Sequence, residues 1–163
     1  MSWSSRRTVL TVLAGGLLAG CGFQLRQPPK LAFGSIALTG FAKRSPLAEA
    51  FRLELERQVR VLDTPDKADV VLQALSDVRE KSVVASTSAA QVREFTLRLK
   101  FNFRAQTPGG RELIPRAELL LSRDMNYSET QALAKEVEEG ELYREMNADV
   151  VAQVMRRLAA VRV

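Results

Sequence analysis

From Val92 to Ala105 the chain reads VREFTLRLKFNFRA. Phe95, Leu97, Leu99, Phe101 and Phe103 occupy every second position, and Thr96, Arg98, Lys100, Asn102 and Arg104 stand between them. Period-two alternation predicts a half-buried strand of an antiparallel sheet, with the apolar row on the core and the polar row facing water. Thr107-Pro108-Gly109-Gly110 predicts a turn. Residues 112–124, ELIPRAELLLSRD, then return as the partner strand, with Pro115 marking an edge position or a bulge.

Other stretches follow a helical period. Ser45 is an N-cap and Pro46 suits the first helical position. Leu47, Phe51, Leu55, Val59 and Leu62 continue the apolar stripe of a helix over 46–60, closed by Thr64-Pro65-Asp66. Ser128 with Gln131 forms a capping box that opens a long helix, about 129–160. Leu133, Val137, Tyr143, Met146, Val150, Val154 and Leu158 track its core face, and Gly140 marks a bend. Glu136, Glu138, Glu139 and Glu141 early in this helix, and Arg156, Arg157 and Arg162 near its end, suit the helix dipole.

Two further strands complete the pattern, at 31–38 (LAFGSIAL) and 69–79 (DVVLQALSDVR). Residues 80–90, EKSVVASTSAA, read as a strand end and a loop. The order is β-α-β-β-β-α. It predicts an α+β domain over 31–163, with one antiparallel or mixed sheet of about four strands and two helices packed on one face. The polar side of the sheet then carries Arg98, Lys100 and Arg104, spaced about 6–7 Å along one strand, with Arg116 on the neighbouring strand. Such a row could meet phosphate or carboxylate groups. An ordinary solvated sheet face reads the same way.

The N-terminus follows another logic. Residues 2–8, SWSSRRT, are polar and positive, and residues 9–20, VLTVLAGGLLAG, are apolar and end in small residues. This is a secretory signal over 1–20. Its apolar run is too short for a spanning helix, which needs roughly 20 residues. Arg6-Arg7 after Ser5 partly resembles a twin-arginine signal, although an ordinary positive n-region explains the pair as well. Residues 21–30 begin with the single cysteine of the chain and contain Pro28-Pro29, which suits an extended tether.

Composition removes most catalytic chemistries. The chain of 163 residues has no histidine and one cysteine, so a Ser/His/Asp set, a Cys/His pair, an internal disulfide and a thiolate metal cluster are excluded. No phosphate-cradling glycine loop is visible. The acidic pairs lie on an exposed helix face, and nothing in the sequence desolvates Asp124 or Glu129. The expectation is a binding protein, not an enzyme, without cofactor or metal. A net charge of +5 favours anionic partners; for an exported protein these are anionic lipid or an acidic envelope protein, not nucleic acid.

Two resemblances sharpen this. Leu18-Ala19-Gly20-Cys21 resembles the lipobox of bacterial lipoproteins. That resemblance implies cleavage before Cys21, an S-diacylglycerol and an N-acyl group on Cys21, and firm membrane anchoring by several acyl chains. Gly22, in place of an aspartate, points to the outer membrane. Cys21-Gly22-Phe23-Gln24-Leu25-Arg26 further resembles the mature start of the LPS-assembly lipoproteins, the LptE family, with Gln27 where that family has glycine. Arg123-Asp124-Met125-Asn126-Tyr127-Ser128 and residues 139–158, EGELYREMNADVVAQVMRRL, continue the resemblance. It implies a lipoprotein that plugs and helps assemble the LptD β-barrel and binds lipopolysaccharide on its way to the outer leaflet. The candidate contacts to lipopolysaccharide, Arg98, Lys100, Arg104 and Arg116, come from the strand pattern, not from the family. The competing expectation is an outer-membrane-anchored module for another envelope protein or an anionic lipid.

Overall fold

The computed structural model describes residues 30–86 and 92–162. A five-stranded sheet runs in the spatial order β2-β1-β3-β4-β5. Its strands are β1 (Ser35–Thr39), β2 (Arg60–Leu62), β3 (Val70–Ser86), β4 (Val92–Gln106) and β5 (Glu112–Asn126). β1 pairs in parallel with both β2 and β3. β3, β4 and β5 form an antiparallel meander. Helices α1 (Pro46–Leu55) and α2 (Ala132–Ala159) lie against each other, and α2 lies on β4 and β5. The α+β class and the mixed sheet agree with expectation; the sheet has five strands where about four were expected.

The extra strand comes from the segment assigned to the end of the first helix. Ser45 accepts a hydrogen bond from the Ala48 amide at 3.2 Å, and Pro46 occupies the first turn. Leu47, Phe51 and Leu55 are fully buried. The helix stops at Leu55. The amides of Gln58 and Val59 both reach back to the Leu55 carbonyl, which turns the chain and sets Arg60–Leu62 beside β1. Val59 is buried as the stripe predicted, but from this turn. Thr64-Pro65-Asp66 does not end the helix; a short 3-10 turn occupies Pro65–Lys67.

The apolar row of β4 lies on the core as expected, but its polar row does not all face water: Thr96 and Asn102 are buried as well. Leu97, Leu99, Phe101 and Phe103 are fully buried. Phe101 lies 5.7 Å from Phe51 of α1 and 5.2 Å from Phe103, so sheet and helix share one aromatic cluster. Burying each such side chain contributes roughly 1.5–3 kcal/mol.

β3 differs more from expectation. It runs to Ser86, through residues read as a strand end and a loop, and is paired with β4 for almost its whole length. Between Ala74 and Ser76 the register shifts by a β-bulge. A period-two strand that gains one residue exchanges its faces. Before the bulge Val70, Leu72 and Ala74 meet the core; after it Asp77, Arg79 and Lys81 take that side, opposite Phe101, Leu99 and Leu97, and none of them is buried.

In α2, Tyr143, Met146, Val150, Val154 and Leu158 are buried as expected. Leu133 and Val137 are not; they are 80% and 66% exposed. The capping box does not form. The Ser128 hydroxyl pairs with the Thr130 hydroxyl at 2.8 Å, and a 3-10 turn over Glu129–Gln131 precedes the helix. The helix is continuous through Gly140.

Candidate functional site

The helices cover one face of the sheet, so the opposite face of β3, β4 and β5 is the open one. β4 presents Thr96, Arg98, Lys100, Asn102 and Arg104 there, between its buried apolar residues. Register supplies the neighbours. Glu80 stands opposite Arg98 on β3 and Ser122 on β5; Val78 and Leu120 flank Lys100. Alternation from Ala117, together with its exposure, puts Arg116 on the same face. The four cations expected as a group therefore share one surface.

They are not equally available. Arg104 donates to the Gln73 side chain at 2.7 Å. Lys100 lies 3.4 Å from the Glu118 carboxylate. Arg98 is exposed and forms no ion pair or hydrogen bond among the described residues. Thr96 donates to Asp124 at 2.7 Å, and Asn102 to the Ser76 hydroxyl at 2.7 Å. The face thus alternates cations with Glu80, Glu118 and Asp124, and its net charge is much smaller than the basic row alone suggests. These partners lie on other strands, so only the register reveals them.

The helix-facing side of β3 forms a second polar region. The Ser45 hydroxyl, which caps α1, donates to Asp77 at 2.7 Å. The Arg79 guanidinium lies 4.9 Å from the centre of the Tyr143 ring. The Tyr143 hydroxyl donates to the Glu80 carbonyl at 2.9 Å, and burial raises its pKa above the usual phenol value. Lys81 pairs with Glu139 at 2.6 Å and sits 4.3 Å above the Phe95 ring. Beside this seam a shallow groove opens between the helices, lined by Ala50, Leu53, Arg79, Tyr143, Arg144 and Asn147. Asn147 is 4% exposed, and its Oδ1 is buried without a hydrogen-bond partner among the described residues. Sequence reasoning singled out neither the groove nor Asn147, because the parity change in β3 that creates the seam has no signature in residue type.

Among the described residues no group of three or more acidic, histidine or cysteine side chains could hold a metal, and no helix is long and apolar enough to cross a membrane. The signal over 1–20, Cys21 and the tether as far as Pro29 lie outside the described residues.

Solved structures share this architecture. The solution structure of the uncharacterized lipoprotein B from Nitrosomonas europaea superposes with a TM-score of 0.72 at 28% identity, covering 85% of this chain and 91% of that one. The rare lipoprotein B from Shewanella oneidensis gives 0.65 at 23% identity, covering 78% and 95%. The minor lipoprotein from Acinetobacter baumannii gives 0.64 at 21% identity, covering 80% and 93%. No curated protein matches the sequence significantly. The fold is therefore the one these structures share, a mixed sheet with two helices. Residues 33–158 match the model of the lipopolysaccharide-assembly family LptE, and the chain belongs to that family.

Proposed function

We propose that this chain acts in lipopolysaccharide assembly as a non-enzymatic lipoprotein, held in the outer membrane by acyl chains on Cys21 and seated as a plug in the lumen of the LptD β-barrel. In this reading it helps the barrel assemble and binds lipopolysaccharide through the open sheet face. Family membership supports the process. The polar lumen of a large outer-membrane barrel suits a compact plug whose surface is charged and whose core is its own.

The observation that carries the binding surface is Arg98. It stands unpaired among the described residues, in mid-strand, between Lys100 and the hydroxyl of Thr96. A guanidinium presented this way can grip a phosphate through two parallel hydrogen bonds. Lys100, Arg104 and Arg116 extend the positive surface on either side of the Glu118 and Asp124 carboxylates.

The test has two arms. The lipidated protein is extracted from its native envelope in mild detergent and run unboiled and boiled on a gel; co-purification of a stoichiometric partner with heat-modifiable mobility supports the plug, and extraction of the protein alone sinks it. Binding of purified lipopolysaccharide is then compared for the native protein and the R98E/K100E variant. Unchanged binding overturns the assignment of the open face.

A further inference from the structure

β5 is the outermost strand of the sheet, and among the described residues no strand pairs with its outer edge. Such an edge is normally blunted by shortness, by charged side chains, lysine above all, by proline or by a bulge. β5 is 15 residues long and contains no lysine; its proline, Pro115, sits near one end, at the register shift between the Phe103–Ala117 and Ala105–Ile114 pairs. From Arg116 to Asp124 the outer edge can accept a strand. The opposite edge is different, since β2 has only three residues.

The edge is complementary to itself. An antiparallel pair related by a two-fold axis through Leu120 places Arg116 opposite Asp124 of the other copy, Glu118 opposite Ser122, and Leu120 opposite Leu120. On the helix side it places Leu119 opposite Leu121. Opposite charges in direct cross-strand positions stabilise a pair, and like charges destabilise it. The neighbouring face-matched registers lose this. An axis through Leu121 sets Glu118 against Asp124; one through Leu119 sets Glu118 against Leu120 and leaves Arg116 against Ser122.

The side chains are available for it. Arg116 is exposed and forms no ion pair or hydrogen bond among the described residues. Asp124 is exposed and uses only Oδ1, toward Thr96. Leu120 is 60% exposed, a large aliphatic side chain at the centre of the edge. Pro115 lacks an amide hydrogen and lies just beyond Arg116, so the two prolines of a pair bracket a ladder of nine residues per copy.

We infer that two copies of this chain pair antiparallel through Arg116–Asp124 of β5, about a two-fold axis at Leu120, to form one continuous sheet across both. The inference does not rest on the open face as a lipopolysaccharide site. It describes the chain when no other protein occupies the edge.

The test uses the purified protein in mild detergent, with Cys21→Ser in every variant so that no thiol of its own can cross-link. In Leu120→Cys the two introduced thiols face each other, and opposed α-carbons of an antiparallel pair lie about 4.5–5.5 Å apart, within disulfide reach. An added mild oxidant should join L120C into a covalent dimer, while the Cys21→Ser parent and Val78→Cys, on the same face but away from the edge, stay monomeric. In the L120C background, Arg116→Asp alone and Asp124→Arg alone should each reduce the cross-linked fraction at limiting protein concentration, through an affinity loss of about tenfold. Combining R116D with D124R should restore it. No dimer from L120C, or a dimer indifferent to all three charge variants, overturns the inference. Restoration by the double swap also excludes misfolding as the cause of the single-variant losses.

Discussion

The Tyr143 hydroxyl donates to the main-chain carbonyl of Glu80 at 2.9 Å, tying the middle of α2 to β3 across 63 positions of sequence. Arg79 stacks on the same ring, and Lys81 pairs with Glu139 one turn earlier in the helix. The extended half of β3 is therefore held by polar contacts where the other half is held by aliphatic ones. Tyr143→Phe keeps the ring and the Arg79 contact but removes the donor. It should lower unfolding free energy by about 1 kcal/mol, the worth of one partly buried hydrogen bond. Tyr143→Ala also removes buried aromatic volume and should cost roughly 3–5 kcal/mol. Urea titration of both variants checks the pair of values; equal losses would show that the hydroxyl alone fixes the seam.

A second prediction concerns the bulge that creates this seam. Gly40 has φ +77°, and a Cβ built on it would lie 2.1 Å from the Ala74 carbonyl oxygen, at the bulge itself. The neighbour is backbone and cannot rotate away. Gly40→Ala therefore combines left-handed strain with a steric overlap that only main-chain movement relieves. The expected loss is at least about 3 kcal/mol. Gly110 provides the control. It also has positive φ, at +86°, but nothing lies within 4 Å of its Cβ position, so Gly110→Ala should cost only about 1–2 kcal/mol. Thermal unfolding of the two variants separates strain from overlap.

The third prediction is a pH dependence. Asp69 Oδ2 accepts from the Ser35 hydroxyl and from the Gly34 and Ser35 amides, all at 2.8–2.9 Å. These bonds, the Ser35 hydroxyl first, hold its carboxyl below the ordinary aspartate value. A carboxylate with a depressed folded pKa contributes stability that is present above the unfolded pKa, near 3.9, and is lost as pH falls through the folded value. Asp69→Ala should thus be less stable than the native protein at pH 7, by on the order of 1–2 kcal/mol for the lost hydrogen bonds. The gap should narrow on acidification from about pH 5 toward pH 2. Denaturant midpoints measured across that range check the sign. A gap that widens toward low pH would contradict the assignment of Asp69 as the charged clamp between β1 and β3.

How much of this was legible in the sequence follows from where each signal resides. The β4 row was readable because its alternation is local and unbroken; Leu97 to Phe103 needed no tertiary information. Ser45-Pro46 was readable for the same reason, since a cap satisfies groups of its own helix. The capping box at Ser128 failed because its hydroxyl found Thr130 and the first turn took 3-10 geometry. Leu133 and Val137 carried the right period but lie outside the reach of the sheet and of α1, and periodicity says nothing about where a partner ends. The course of β3 was hidden most completely. One extra residue near Leu75 turns Asp77, Arg79 and Lys81 toward the helices, and their partners are Ser45, at the cap of α1, and Tyr143 and Glu139 on α2. The cations of the open face were found by parity, while Gln73, Glu118 and Asp124, which moderate them, depend on register across strands.

That moderation yields the last prediction, which separates a binding surface from a merely solvated one. Lys100 is paired with Glu118, both about half exposed, so the pair contributes little to stability, at most about 1 kcal/mol. For an anionic ligand the same pair is a competitor, because the carboxylate neutralises the cation the ligand needs. Glu118→Gln should therefore raise the affinity for lipopolysaccharide, by about two- to fivefold at low salt, and leave the unfolding midpoint nearly unchanged. Arg98→Glu should lower it by about tenfold or more, also without a large change in stability, since Arg98 makes no ion pair among the described residues. Both effects should shrink as salt rises from 50 to 500 mM, a range over which the screening length falls from well above to below about 10 Å. Opposite signs of this size for these two exposed substitutions, measured by titration of the purified lipoprotein with lipopolysaccharide, are the result expected if the ligand lies across β4 and β5. Two neutral results would leave the cations of the open face as solvating charges and move the search for the ligand to the groove beside Asn147.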